Sequence, residues 1–281
     1  MLPYYNFYIS VRRFMNTKLL VLDIDGTLTN SKKEITPATK QAIIDLMNRG
    51  HKCMLASGRP TPGMYKVADE LEFDKYGGYL LSYNGAKIIK YDTKEIIYQQ
   101  TVPRQFIPDI YEFAVNFRCG LLTYDDERII SRNRIDKIVA LESRINNLPI
   151  KEVDNFPEYI DFDINKCLMT APQHIAPYLE DMLKDYYGEH LSFYRSEPFF
   201  IEVMPKGVDK AASLEKMLPI LGISRENCIA CGDGFNDITM IKFAGIGVAM
   251  ANAQQKVKEA ADVVTLSNDE DGLVPIIEKY F

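Results

Sequence analysis

Leu19-Leu20-Val21-Leu22-Asp23-Ile24-Asp25-Gly26-Thr27-Leu28-Thr29 is the stretch on which the reading of this chain turns. Its apolar opening, Leu19 to Leu22 with Ile24 beyond, predicts a buried parallel strand. Asp23 and Asp25 fall where that strand should end, and Gly26 and Thr27 turn the chain away. Two carboxylates at a strand tip repel each other unless a cation or a shared proton intervenes. The carboxyl ends of parallel strands are also where open α/β sheets bind ligands. The stretch therefore points to a metal-assisted site with an aspartate nucleophile. The plainer alternative is a strand followed by an Asp-Gly turn.

Downstream, Thr36-Pro37 predicts a helix start with Thr36 as its cap, and Gly50 marks its end. Lys52 to Ala56 reads as a second strand closed by Ser57-Gly58-Arg59-Pro60, a helix follows over about 62–71, and Tyr79 to Tyr83 is a third strand. This alternation is the doubly wound parallel pattern of an α/β fold. At Asn84-Gly85 the rhythm changes to paired strands and interspersed helices, and it returns after Pro205 with a helix leading to the strand Cys228 to Cys231. The expected architecture is an α/β core from residues 1–84 and 196–281, with residues 85–195 inserted as an α/β cap.

The chain has 281 residues, 47% of them apolar and 26% charged, the profile of a globular protein of one large or two modest domains. A net charge of −6 argues against a general nucleic-acid binder. No apolar run approaches the length of a membrane span, so neither a membrane nor a nucleic acid is expected as partner. Residues 1–16 lack the order of a signal peptide and read as an N-terminal extension. Five scattered cysteines fit a reducing cytoplasm better than a disulfide framework. Cys228 and Cys231, three apart on a strand, point to opposite faces and make a poor joint metal site.

Chemistry gathers at strand ends and helix starts. The first strand supplies Asp23 and Asp25, the second Ser57 and Gly58, and the strand at 228–231 leads into Asp233, Asn236 and Asp237. Lys210 opens the helix before that last strand. Mg²⁺ takes oxygen ligands, commonly one or two carboxylates with water and phosphate. Asp23 and Asp233, with the backbone carbonyl of Asp25, are the candidate metal ligands. An ionised Asp23 meets an anionic phosphate only with help from that cation and a lysine. Ser57, the Gly58 amide and Asn236 are candidate donors to phosphate oxygens, with Lys210 supplying charge. The Asp25 carboxylate is the candidate acid and base.

The segments Asp23-Ile24-Asp25-Gly26-Thr27, Ser57-Gly58-Arg59, Lys210 and Gly232-Asp233-Gly234-Phe235-Asn236-Asp237 together resemble the four motifs of the haloacid dehalogenase superfamily of phosphatases. Asn84-Gly85-Ala86, Met204-Pro205-Lys206-Gly207-Val208-Asp209-Lys210 and Met250-Ala251-Asn252-Ala253 resemble its Cof-type branch, which carries a large α/β cap of the second type. The resemblance implies a Rossmann-like core and Mg²⁺-dependent hydrolysis of small phosphorylated metabolites, sugar phosphates or similar, through an aspartyl-phosphate on Asp23. It further implies Asp25 as acid and base, and Ile24, Ser57, Gly58, Lys210 and Asn236 at the phosphate. Asp23, Asp25 and Asp233 would hold the metal, and Asp237 would orient Lys210 or the metal's waters. Two departures are small: Ser57 stands where threonine is commoner, and Ala211 where glycine is usual.

Several readings compete. Lys206 rivals Lys210 for the phosphate, and the motif favours Lys210. Arg59 either touches substrate or pairs with an acid. Gly232 and Gly234 imitate a dinucleotide loop, but Asp237 takes its sixth place and Asp233 would repel a pyrophosphate. His51, His174 and His190 share no motif with a nucleophilic serine or cysteine. A phosphomutase using the same intermediate and a non-catalytic phosphometabolite-binding protein are the alternative functions. The intact Asp25 argues against the latter. A monomer or small homo-oligomer is expected.

Overall fold

The computed structural model describes residues 17–132 and 136–281; the extension inferred for 1–16 lies outside them. Among the described residues, no helix is long and apolar enough to cross a membrane. The strands, in chain order, are β1 Leu19–Leu22, β2 Lys52–Ala56, β3 Tyr79–Ser82, β4 Lys87–Lys90, β5 Ile96–Gln99, β6 Gly120–Tyr124, β7 Ile129–Ser131, β8 Ile150–Glu152, β9 Cys167–Thr170, β10 Leu191–Glu197, β11 Phe200–Pro205, β12 Cys228–Gly232, β13 Ile246–Ala249 and β14 Val263–Val264. They form an eight-stranded sheet ordered β14-β13-β12-β1-β2-β3-β4-β5 and a six-stranded sheet ordered β10-β11-β9-β6-β7-β8.

β1 is buried at all four residues, as a central strand covered on both faces requires. It pairs in parallel with β12 and β2, which brings Leu22 level with both Cys231 and Leu55. The residues just beyond, Asp23, Ser57 and Asp233, therefore leave the sheet along one edge. The helix Pro37–Asn48 after β1 begins as predicted: the Thr36 hydroxyl accepts from the Thr39 amide and Pro37 opens the first turn. Leu19, Val21, Met54, Ala230, Leu214 and Met217 share one core cluster, so the helix that starts at Lys210 packs on the face beneath these strand ends.

The chain divides into two compact units. Of the described residues, one holds 17–57 together with Lys66–Tyr98 and Asp209–Phe281; the other holds Gly58–Tyr65 and those within Gln99–Val208. This division departs from the boundaries expected at 84/85 and 195/196. The hairpin β4-β5 extends the larger sheet, with Leu81 opposite Ile88, because β4 returns antiparallel beside β3 rather than starting a new sheet. At the other junction β11 pairs with β9 and β10, so the second unit runs on to Val208. It also takes in Gly58–Tyr65, which sequence reading had left with the core. In the second unit Leu121, Cys167, Met169, Ile201 and Val203 line one sheet face and pack with Ile107, Ile110, Leu179 and Leu183.

Candidate active site

Asp23 opens the site. Its amide donates to the Cys231 carbonyl at 3.0 Å, continuing the β1–β12 ladder one residue past the strand. Its side chain is nearly closed to solvent, and Oδ1 accepts from Lys210 Nζ at 2.8 Å. Lys210 is itself fully buried and reaches this position because it starts a well-capped helix, with the Asp209 carboxylate accepting from the Ala212 amide. That helix end is clamped by Asn84-Gly85-Ala86. Gly85 has φ +113°, and a Cβ there would lie 2.5 Å from the Asp209 carbonyl oxygen. Only glycine permits both the conformation and the approach. The Ser213 hydroxyl closes the contact, donating to the Gly85 carbonyl at 2.6 Å.

Two further contacts complete what surrounds the ammonium. Lys210 Nζ also donates to Asp237 Oδ1 at 2.5 Å and to the Ala56 carbonyl at 2.7 Å. Asp237 is fully buried, and its second oxygen accepts from the amides of Asp233 and Gly234 at 3.0 and 2.9 Å. Asp233 Oδ1 accepts from the Thr27 hydroxyl at 2.7 Å. Gly26, at φ +91°, leaves the space that Asp233 occupies: a Cβ there would stand 2.4 Å from Asp233 Oδ2.

Asp23, Asp233 and Asp237 each offer an oxygen within 4.8 Å of the others. Three carboxylates thus gather beside one ammonium, which bonds two of them, an arrangement short of positive charge that a divalent cation would complete. The titration of the groups reflects this imbalance. Burial raises the Asp23 carboxyl above its ordinary value, and Asp237 raises it further against the pull of Lys210. Burial raises Asp233 as well, partly offset by the Thr27 hydroxyl. For Lys210, burial disfavours the charge, but Asp23 and Asp237 outweigh it and the ammonium is held more firmly than usual. Both directions hold together because the lysine faces two carboxylates that must share it.

The other candidates are placed around this cluster or away from it. The Asp25 carboxylate lies outside the triple and bonds Lys33 Nζ at 2.9 Å. Ser57 is buried; its amide donates to the Leu81 carbonyl and its carbonyl accepts from the Asn84 amide, at 2.8 and 2.9 Å. Asn236 is exposed and donates to the Asn84 side chain at 3.1 Å. Ile24 is fully buried, its carbonyl bonded by Thr29. Arg59 donates to the Gly63 carbonyl at 3.3 Å within the second unit. Lys206 also belongs to the second unit and bonds the Gly188 carbonyl, whereas Lys210 is the lysine on Asp23. Sequence reading missed Thr27, Lys33 and Asn252, whose side-chain amide donates to the Gly26 carbonyl at 2.8 Å. Two of them carried a signal: Thr27 as a hydroxyl four residues after Asp23 on the same turn, and Asn252 as part of the Met250-Ala251-Asn252-Ala253 segment.

Comparison with known proteins identifies the family. Residues 20–277 match the family of haloacid dehalogenase-like hydrolases. A crystal structure of a haloacid dehalogenase-like hydrolase from Bacteroides thetaiotaomicron is 44% identical, with a TM-score of 0.91 over 94% of this chain and 100% of that one. The Bacillus subtilis protein YxeH, whose phosphatase designation is itself provisional, is 31% identical over 93% of this chain and 97% of its own. The subclass IIB sugar phosphatase BT4131 is 25% identical, with a TM-score of 0.76 over 93% of this chain and 98% of that one. With an α/β Rossmann-like core and a family match across nearly its whole described length, this chain belongs to the haloacid dehalogenase-like hydrolases, as an enzyme of their Cof-type phosphatase branch.

Proposed function

We propose that the chain is a Mg²⁺-dependent phosphatase of small phosphorylated metabolites, sugar phosphates first among them, working through an aspartyl-phosphate on Asp23. The observation that carries this reading is a buried carboxylate held by Lys210 at 2.8 Å beside two further carboxylates. A neutral ester has no use for so charged a pocket, whereas a phosphoryl dianion needs both the lysine and a metal. Asp23, Asp233 and the Asp25 carbonyl are the groups that would hold Mg²⁺, and the ion offsets the repulsion between Asp23 and the phosphoryl oxygens.

In the first step an Asp23 oxygen attacks phosphorus while the ester oxygen leaves, taking a proton from Asp25. In the second, Asp25 takes a proton from water, whose oxygen attacks the same phosphorus. Inorganic phosphate departs and the Asp23 carboxylate is restored. Ser57, the Gly58 amide and Asn236 hold the phosphoryl oxygens, Lys210 supplies fixed charge, and Asp237 keeps Lys210 aimed. The second unit serves as the cap that selects the alcohol. The bulk sequence and five free cysteines are consistent with a cytoplasmic enzyme.

The test is a panel of phosphorylated metabolites with Mg²⁺, run on the wild type and on Asp23→Asn. The variant is expected to be folded yet inert on every ester, a loss of about 10⁴-fold or more. Comparable turnover by both proteins contradicts the nucleophile. Transfer to a second hydroxyl of a hexose phosphate, instead of to water, would make the enzyme a mutase.

A further inference from the structure

Tyr83, Asn84 and Gly85 leave β3 with φ of +53°, +53° and +113°, the only consecutive positive values among the described residues. A tyrosine in the left-handed region is costly, and such strain persists only where the surroundings enforce it. Asparagine enters that region more readily than most residues, so the plain account of Asn84 is conformational. Its contacts go further.

Asn84, Ser57 and Asn236 all belong to the first unit. The Asn84 amide donates to the Ser57 carbonyl at 2.9 Å, and the Ser57 amide donates to the Leu81 carbonyl at 2.8 Å. Ser57 is therefore held on both sides by the end of β3. The peptide that follows Ser57 is planar, so fixing its carbonyl also fixes the N–H at its opposite edge. The Asn84 side chain turns to a different strand end: its Oδ1 accepts from Asn236 Nδ2 at 3.1 Å.

That second bond has a direction. A side-chain amide carries two N–H donors on one side and a carbonyl on the other, and half a turn exchanges them. A phosphoryl oxygen needs the N–H side, because the carbonyl would repel it. By presenting an oxygen, Asn84 takes one N–H of Asn236 and leaves the second on the same nitrogen. Asn236 Oδ1 lies instead over Gly234, where a Cβ would stand 2.6 Å from it, so glycine leaves that oxygen its room. Asn236 is exposed, and an exposed amide without a fixed neighbour must be ordered on binding at a cost in affinity.

We infer that Asn84 is a positioning residue for the phosphoryl grip: its side chain selects the donor side of Asn236 while its amide fixes the peptide after Ser57. The inference rests on the phosphatase reading, which makes Asn236 a phosphate donor.

The decisive variant is Asn84→Gly. Glycine adopts the same backbone conformation and keeps the amide that bonds Ser57, so only the acceptor for Asn236 is lost. Should it not fold, Asn84→Ser, which also shortens the side chain, takes its place. The Kd of inorganic phosphate with Mg²⁺ is measured by calorimetry for the wild type, N84G, N236A and the double variant, alongside kinetics on an aryl phosphate. KM gives the same comparison where phosphate binds too weakly to titrate. Expected are a Kd about fivefold higher in N84G, the loss of one aimed hydrogen bond, and a double variant within about twofold of N236A. A Kd in N84G equal to wild type leaves Asn84 a purely conformational role and overturns the inference. So does a double variant whose loss is the product of the two single losses, since Asn84 would then act by another route than Asn236. A wild type that binds phosphate but turns over no ester defeats the proposed function, while the four Kd values still judge Asn84. One that neither binds nor hydrolyses defeats both.

Discussion

Two buried lysines, one in each unit, show how differently the same side chain can be used. Lys210 is fully enclosed and gives its three N–H groups to Asp23, Asp237 and the Ala56 carbonyl, all within 2.8 Å. Every donor is spent and the charge is overmatched by two carboxylates. Lys166 has one carboxylate at 2.9 Å and one carbonyl at 3.3 Å, with the Tyr124 ring centroid 5.5 Å from its ammonium. The first environment is electrostatically committed; the second is balanced one for one. Satisfied buried networks rigidify, and a surplus of one sign asks for an ion of the other. That surplus separates a cluster whose charge suits a divalent cation from a pair whose charges cancel.

The largest way to break the comparison is Lys210→Met, which orphans two buried carboxylates. Stability should fall by about 3–5 kcal/mol, read as a lower urea midpoint. Adding Asp23→Asn to that variant should recover part of the loss, since one stranded charge is removed. If the midpoint stays at the wild-type value, the lysine is not neutralising this cluster.

A second test separates the two environments by metal and pH. Asp23 and Asp233 titrate above their ordinary range, so the folded protein holds protons that the unfolded chain has released. Their contribution to stability is therefore complete below the ordinary carboxylate range and is lost as pH rises toward their elevated values. Mg²⁺ requires the ionised forms and relieves that loss. The rise in Tm on adding Mg²⁺ should be clearly larger at about pH 8 than at about pH 5.5. An equal rise at both would mean that the ion binds elsewhere.

The smallest effect belongs to a third lysine. Lys33 meets Asp25 at 2.9 Å, but its side chain is 65% exposed. Exposed pairs are screened by water and salt, so Lys33→Ala should change stability by under about 0.5 kcal/mol. A shift several times larger would show that exposure does not rank these pairs.

The legibility of each feature follows from how local its cause is. β1 and its two aspartates stood out because an apolar run ending in paired acids is a contradiction visible within a few residues. The helix at Pro37 declared itself through Thr36. Lys210 could be preferred over Lys206 only through the family motif, since both lie in one short run and nothing local says which reaches the sheet. The hairpin β4-β5 was assigned to the wrong unit because strand pattern reveals an antiparallel return but not the edge it joins. Lys166 carries no local signal, because its carbonyl partner lies 108 residues earlier and only the fold brings them together.

Asp237 carries a consequence for how such loops can vary. One oxygen aims the lysine and the other closes the turn on the amides of Asp233 and Gly234. A Cβ at Gly232 would stand 2.4 Å from the Asp237 Cβ, so the loop has no slack on its inner side. Inserting a single residue between positions 233 and 237 would uncouple the turn from the lysine even with every motif letter retained. The count of residues in the loop is thus itself part of what keeps Asp237 on Lys210, and a search by letters alone would miss its loss.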